Sequence, residues 1–179
     1  MEIKKALYLA QITNEALEST DAFTRVEIAG SIRREKPDVG DIEIVVAPKF
    51  ENVTDMFGEP KGIVSHLTSI TDLLSLVNGE KYIKNGERYK QILLCCGEKL
   101  DLFIVHPPAQ WGVIYTIRTG PWQFSKKIVT PEKHGGYLRN RYAVKEGAVW
   151  EVGRKLETPE EIDFFNYLTI DYLEPKERQ

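Results

Sequence analysis

The sequence feature that most constrains the fold is a pair of acidic residues at the start of an apolar run. Asp41 and Glu43 are separated by Ile42 and lead into the apolar residues 44–46. Because successive side chains of a strand point to opposite faces, we predict a strand over residues 41–47 with both carboxylates on one side. Like charges side by side repel unless a cation lies between them, so the pair predicts a cation site.

The segment before this strand has the features of an anion-binding turn. We predict a strand over residues 26–29, a break at Gly30-Ser31 and one helical turn over residues 31–35. Gly30 allows a ligand close to the backbone, and the turn offers unpaired N–H groups. Ser31 adds a hydroxyl, and Arg34 adds a planar donor fork suited to phosphate.

A third acid, Asp101, stands inside an apolar stretch. We predict strands over residues 90–96 and 99–105, with the side chains of Asp101, Phe103 and Val105 on one face. A single acid in a strand most often faces solvent, and that alternative stays open for each acid taken alone. Neighbouring strands lie about 4.8 Å apart, so carboxylates on adjacent strands can surround two divalent cations. Oxygen-only ligands favour Mg²⁺ or Mn²⁺ over Zn²⁺.

Composition indicates a globular chain of 179 residues, 42% of them hydrophobic and 28% charged. No apolar run approaches the roughly 20 residues that cross a bilayer, and the start does not resemble a secretory signal, so we expect no membrane association and a cytoplasmic location. The net charge of −3 argues mildly against tight sequence-independent DNA binding. It leaves room for local basic patches that meet phosphate.

The remaining pattern predicts an α+β chain with a soft boundary at Pro107-Pro108. We expect helices over residues 3–18 and 61–77, the second ended by Asn78-Gly79. Beyond the boundary we expect two helical stretches to about residue 129, a hairpin over 142–150 and a helix to about residue 167. The last helix would begin at a capping box over residues 158–161, with proline in its first position.

These motifs resemble a known enzyme family. Gly30-Ser31, nine intervening residues and then Asp41-Ile42-Glu43 are similar to the signature of the nucleotidyltransferase superfamily. Further segments resemble the X-family DNA polymerases in order and spacing, and the resemblance covers most of residues 5–178; these segments are residues 84–90, 100–105, 110–112, 118–121 and 167–178. The resemblance implies a palm over residues 1–108, with a mixed sheet flanked by helices, and a small α/β nucleotide- and template-binding subdomain over residues 109–179.

The resemblance also implies roles for individual residues. It implies two Mg²⁺ ions, for which Mn²⁺ can substitute, held by Asp41, Glu43 and Asp101, with Asp101 nearest an attacking 3′-hydroxyl. The substrates would be a deoxynucleoside triphosphate and primed or gapped DNA, and the chain would act as a monomer, in DNA repair or as a minimal, viral-type polymerase. The implied nucleotide-binding residues are Gly30, Ser31, Arg34, Thr119, Gly120, Ser125 and Lys126, and the DNA-binding residues are Lys84, Arg88, Lys90, Lys127, Arg139 and Arg141.

The sequence also differs from the family pattern at several positions, and these differences lead to further expectations. Glu43 stands where the family's best-known member has aspartate, and Ile117 and Arg118 replace an aromatic pair that discourages ribonucleotides, so the sugar preference stays open. No lyase domain precedes residue 5, so we expect no lyase activity and little grip on DNA. The family carries a non-trans peptide in the turn at 118–121, so we predict a cis Gly120-Pro121 bond.

Three alternatives remain at this stage. The basic runs are equally well explained as solvated faces. The same transfer chemistry would also suit a different acceptor, namely an RNA end, a protein or a small molecule. A non-catalytic nucleotide- or DNA-binding module is the third alternative, although it gives no reason for three acids to be held in strands.

Overall fold

The fold was analysed in a computed structural model that describes residues 1–57, 59–70 and 72–178. It is an α+β fold, as the sequence predicts. In chain order the helices and strands are α1 (Ile3–Glu18), β1 (Phe23–Ile28), α2 (Gly30–Arg33), β2 (Ile42–Pro48), β3 (Phe50–Thr54), β4 (Pro60–Ser65), α3 (Leu73–Leu76), β5 (Gly79–Asn85), β6 (Tyr89–Leu94), β7 (Lys99–Ile104), α4 (Trp111–Thr119), α5 (Trp122–Val129), β8 (Ala143–Lys145), β9 (Ala148–Glu151), β10 (Arg154–Leu156) and α6 (Glu161–Phe165).

The central element is a five-stranded mixed sheet in the order β1-β2-β7-β6-β5. β2 and β7 run parallel, with Glu43 opposite Asp101 in the register, and the other neighbours are antiparallel. This pairing brings together two acidic strands that lie more than fifty residues apart in the chain. The candidate site therefore depends on the sheet register and not on local sequence.

The two faces of this sheet are covered differently. One face packs Ile44, Leu100 and Leu102 against the apolar side of α1, where Ala6 and Ala10 are fully buried. The opposite face carries a smaller cluster whose members lie on β2, β7 and α4 or directly after β1 and β7: Ala29, Val45, Phe103, Val105, Trp111 and Tyr115. The predicted alternation along β7 is confirmed, since Leu100 and Phe103 belong to clusters on different faces.

The chain after Pro108 has its own apolar cluster. α4, α5 and α6 pack with a three-stranded sheet in the order β10-β9-β8, around buried residues that include Val113, Phe124 and Phe164. The predicted hairpin is confirmed, and its turn residues Glu146 and Gly147 have φ of 50° and 77°. Left-handed residues of this kind are what a two-residue hairpin turn requires.

Several local predictions are wrong. In place of a helix over residues 61–77, β4 pairs antiparallel with β3, and of the described residues in this range only Leu73–Leu76 is α-helical, after the Asp72 cap. The apolar spacing in this segment fits a helix, but Gly62 and the β-branched Ile63 and Val64 lie in the β3-β4 hairpin instead. The last helix begins after Glu160, which forms a capping box with Asp163, so the cap lies two residues later than predicted.

Two further findings concern the backbone and the membrane. The Gly120-Pro121 bond is trans, contrary to the prediction, and the cis bond of this region lies between Pro107 and Pro108. Within the described ranges, no helix is both long enough and apolar enough to span a bilayer.

Candidate active site

The carboxylates of the two acidic strands lie side by side on the sheet. Glu43 is opposite Asp101 in the parallel register, and Asp41 immediately precedes β2. The Asp101 side chain does not face bulk solvent, since the residue is only 8% exposed. The structure thus brings together the three acids that the sequence singled out.

Hydrogen bonds from the neighbouring strand fix the orientation of Asp101. The Tyr89 hydroxyl donates to Asp101 Oδ1 at 2.9 Å, and Gln91 Nε2 donates to the same oxygen at 2.8 Å. Both donors come from β6, where Gln91 lies opposite Asp101. The Asp101 carboxylate is therefore held through Oδ1, and its closeness to Asp41 is one of the causes that raise the pKa of Asp41.

Burial, with repulsion from a neighbouring carboxylate as the second cause, raises the pKa of two of these acids. Burial raises the pKa of Glu43 to about 7, and the charge of Asp41 adds to this rise, whereas Arg34 opposes it. Burial also raises the pKa of Asp41, with the Asp101 carboxylate as the next cause. Holding like charges together in this way costs folding free energy, which the fold must offset elsewhere.

Gly30 and Glu43 are in direct contact. Gly30 has a φ of 60°, and a Cβ atom built on it would lie 1.6 Å from Glu43 Oε2. The Glu43 carboxylate therefore packs against the Gly30 backbone, in the space that the sequence interpretation gave to a ligand. This placement fits a further finding: within the described part of the chain, no three His, Cys, Asp or Glu side chains form a ready-made metal cluster.

A second charged group lies beside the same turn. Arg33 Nη1 donates to Thr119 Oγ1 and Arg33 Nη2 to Glu161 Oε2, both at 2.7 Å. Arg178, which is fully buried, donates from Nη1 to Glu161 Oε1 at 2.6 Å. Arg34 donates to the Thr119 carbonyl oxygen. These contacts join α2 to the end of α4, the start of α6 and the C-terminal residues.

This arginine group, Arg33, Arg34 and Arg178, carries more positive charge than it can pair. Glu161 is the carboxylate that pairs with it; burial works to raise the Glu161 pKa, but the hydrogen bonds from Arg33 and Arg178 prevail and lower it. Burial lowers the pKa of Arg34, although the Glu43 charge opposes this effect. Arg34 Nε and Arg178 Nη2 are buried without a hydrogen-bond partner. Unpaired buried donors are costly, so this region is suited to an anion.

The other predicted nucleotide-binding residues line the turn after α4. Thr119 is buried and uses both its hydroxyl and its carbonyl oxygen to accept from the arginines. Gly120 packs against the Phe124 ring, and Ser125 donates to the Ile117 carbonyl at 2.6 Å. Lys126 is exposed on α5. These intramolecular contacts hold the turn in place, and the exposed Lys126 is accessible to a ligand.

The predicted DNA-binding residues fall into two groups on different elements. The first group lies on and between β5 and β6: Lys84, Arg88 and Lys90. In the second group, Lys127 donates to the Tyr137 hydroxyl at 3.4 Å, Arg139 Nε donates to the Leu168 carbonyl at 3.2 Å, and Arg141 pairs with Glu151 at 3.6 Å. These second-group cations make intramolecular contacts and are exposed.

Sequence reasoning missed Arg33 and Glu161. Arg33 stood next to the chosen Arg34, but the partners of Arg33 lie 86 and 128 residues away along the chain. Arg178 ends the closing segment that carried part of the family resemblance, so its position gave a signal, whereas Glu161 was noted only as part of a helix cap.

Comparison with known proteins gives a distant relative. No family model matches the chain. The chain is 28% identical over 168 residues to DNA polymerase lambda of Rattus norvegicus, an alignment that covers 83% of this chain and 28% of that protein. The chain therefore spans less than a third of the relative's length.

Proposed function

We propose that the chain is a metal-dependent nucleotidyltransferase, in the form of a minimal X-family DNA polymerase. It would transfer a nucleotide from a deoxynucleoside triphosphate to a DNA 3′-hydroxyl and release pyrophosphate. The observation that carries the proposal is the position of two opposite surpluses of charge, the carboxylates on β2 and β7 and the arginine group beside α2. The similarity to a protein named as a DNA polymerase supports the same reading.

The arginine group is suited to the triphosphate. Arg34 has a buried, unpaired Nε and lies beside the Gly30-Ser31 turn. A planar guanidinium binds phosphate oxygens with paired N–H donors, which makes it a strong partner for a polyanion. Ser31 and the exposed Lys126 would add further donors. Binding would satisfy a donor that the folded chain leaves unpaired, and this gain would contribute to affinity.

The carboxylates are suited to divalent cations. Asp41, Glu43 and Asp101 offer oxygen ligands only, the donor type that Mg²⁺ and Mn²⁺ prefer, and their mutual repulsion would be relieved by positive charge between them. Two bound Mg²⁺ ions would activate the attacking hydroxyl and neutralise the phosphates of the leaving group. Glu43 would move away from Gly30 to take part, since the three acids do not converge on one point as they stand.

The chain's own residues would then orient the reaction. A bond forms between the 3′-oxygen and the α-phosphorus, and the bond from that phosphorus to the β-phosphate bridging oxygen breaks. Asp101, held by Tyr89 and Gln91 through Oδ1, would accept the hydroxyl proton. Arg34 would hold the departing pyrophosphate in place through its guanidinium.

The basic surfaces bear on the choice of acceptor. The net charge of −3 and the spread of basic side chains over two surfaces favour a modest grip on DNA. The same surfaces would suit an RNA end as acceptor, and this second candidate differs from the first only in the strand that is extended.

A primer-extension experiment tests the proposal. Wild-type protein with labelled deoxynucleotides and Mg²⁺ or Mn²⁺ would be offered gapped, primed and single-stranded DNA, and a matched RNA primer. We expect extension of primed or gapped DNA. Extension of the RNA end alone would replace DNA as the acceptor, and no incorporation with either metal would contradict nucleotide transfer.

A further inference from the structure

The Arg118 side chain lies close to the carboxylates and, within the described part of the chain, has no polar side-chain partner. Arg118, in the last turn of α4, places its guanidinium carbon 4.1 Å from the centroid of the Phe103 ring. Phe103 follows Asp101 by two residues on the same face of β7, and its ring stacks on Tyr89 at 5.1 Å. The aromatic pair thus forms a platform that holds Arg118 beside the acids.

The electrostatic surroundings of Arg118 point towards these acids. Burial lowers its pKa, while the charges of Glu43 and Asp101 act in the opposite direction. In return, the charge of Arg118 lowers the pKa of Glu43, against the larger effect of burial. Arg118 is nevertheless an exposed residue, and among the residues that the structure describes none forms a side-chain hydrogen bond or ion pair with its guanidinium. Its N–H donors are therefore available, and cation–π contact with Phe103 is the interaction that holds it.

We propose that Arg118 is the internal counter-ion of the carboxylates and competes with a divalent cation for them. This inference rests on the proposed function, because it concerns the metal ligands that the function requires. In the metal-free protein Arg118 offsets part of the negative charge of Glu43 and Asp101. When a divalent cation binds, the attraction of the acids for Arg118 is lost, and its donor fork turns to the phosphate of the bound nucleotide.

The proposal has two linked consequences. Removing the Arg118 charge strengthens binding of a divalent cation in the absence of nucleotide, by about tenfold for a unit charge several ångströms away at intermediate dielectric. The same change weakens binding of the metal–nucleotide complex, because a phosphate donor is lost. A residue that only supported the fold would move both affinities in the same direction.

Mn²⁺ binding measured by electron paramagnetic resonance tests the first consequence. Wild type, Arg118→Gln, Arg118→Lys and the control Arg154→Gln would be titrated without nucleotide. Arg154 is an exposed arginine of β10, outside the candidate site. We expect about tenfold tighter Mn²⁺ binding for Arg118→Gln and near-wild-type binding for Arg118→Lys and Arg154→Gln. Unchanged or weaker binding by Arg118→Gln would overturn the proposal.

Nucleotide affinity tests the second consequence. Binding of a deoxynucleoside triphosphate with Ca²⁺ would be measured by calorimetry for the same variants, and we expect a loss of about tenfold for Arg118→Gln. An unchanged affinity would overturn the phosphate contact. An Asp101→Asn variant separates the two hypotheses: if wild type and Asp101→Asn bind Mn²⁺ equally, the proposed metal site fails, whereas a loss confined to Asp101→Asn with no effect of Arg118→Gln refutes only the counter-ion.

Discussion

Two charged groups lie on either side of the Gly30-Ser31 turn, and they differ in how their charges are balanced. Beside α6, the Glu161 carboxylate accepts from Arg33 and Arg178, which joins three parts of the chain. On the sheet, Asp41 and Glu43 lie close to Asp101, and burial, followed by the charge of a neighbouring carboxylate, raises the pKa of both Asp41 and Glu43. Paired charge stabilises the fold, whereas unpaired charge is retained at a cost, which points to binding.

The largest expected effect is the loss of turnover when one acid of the sheet is neutralised. Asp101→Asn keeps the size and shape of the side chain but removes a metal ligand and proton acceptor. We expect nucleotide incorporation to fall about a thousandfold or more. The melting temperature should change little, since the carboxylate is held among like charges. Steady-state extension rates and thermal unfolding would be compared with Asp171→Asn, an exposed acid outside the site.

Neutralising Glu161, the paired acid, should lower the stability of the fold, whereas neutralising Asp101 should leave it almost unchanged. Glu161→Gln leaves Arg178 buried without its charged partner, so we expect the free energy of unfolding to fall by about 3 kcal/mol. Urea denaturation measures the loss, and the exposed Glu132→Gln serves as control. A change as small as that of the control would contradict a structural role for the Glu161 pair.

The pH dependence of this pair sharpens the comparison. The folded-state pKa of Glu161 is lowered, so its contribution to stability is complete above its ordinary unfolded pKa of about 4.3 and is lost as the pH falls through the lower folded value. The difference in stability between wild type and Glu161→Gln should therefore be constant at neutral pH and shrink in acid. A difference that grows on acidification would contradict the assignment.

The sequence predicted the carboxylates on the sheet, but it did not predict the Glu161 ion pair. Alternation along residues 41–47 and 99–105 indicated two strands with acids on one face, since a strand pattern is local. The Glu161 pair joins distant residues through packing, so no local pattern reveals it. The error over residues 61–77 has the same origin, because β4 is stabilised by pairing with β3 and not by its own spacing.

Gly30 links the two groups, and its replacement should affect turnover more than stability. An alanine Cβ would collide with the Glu43 carboxylate, so we expect Gly30→Ala to displace Glu43 and to lower incorporation about tenfold, the order of one misplaced ligand. Gly135→Ala is a matched control, because Gly135 also has positive φ, at 81°, with open space where Cβ would lie. Both variants share the backbone strain of about 1 kcal/mol. Equal incorporation by the two would show that Glu43 placement does not matter.

The smallest expected effect is a gain in stability. Because the pKa of folded Glu43 is raised to about 7, ionising it at higher pH costs folding free energy. In metal-free protein at pH 8, Glu43→Gln should be more stable than wild type by about 1 kcal/mol, and the gain should disappear near pH 5, where the folded carboxyl is protonated. Thermal unfolding in chelator, with the exposed Glu87→Gln as control, measures it. A loss of stability at pH 8 would contradict the repulsion among the acids.

The central claim is that these charges serve nucleotide transfer. The most direct test is the stoichiometry of the transfer reaction. Labelled nucleotide joined to a primer and pyrophosphate released would be measured in the same reaction, with wild type and with Asp101→Asn. The account predicts one pyrophosphate for each nucleotide incorporated, and neither product from the variant. Pyrophosphate without incorporation, or equal yields from wild type and variant, would contradict it.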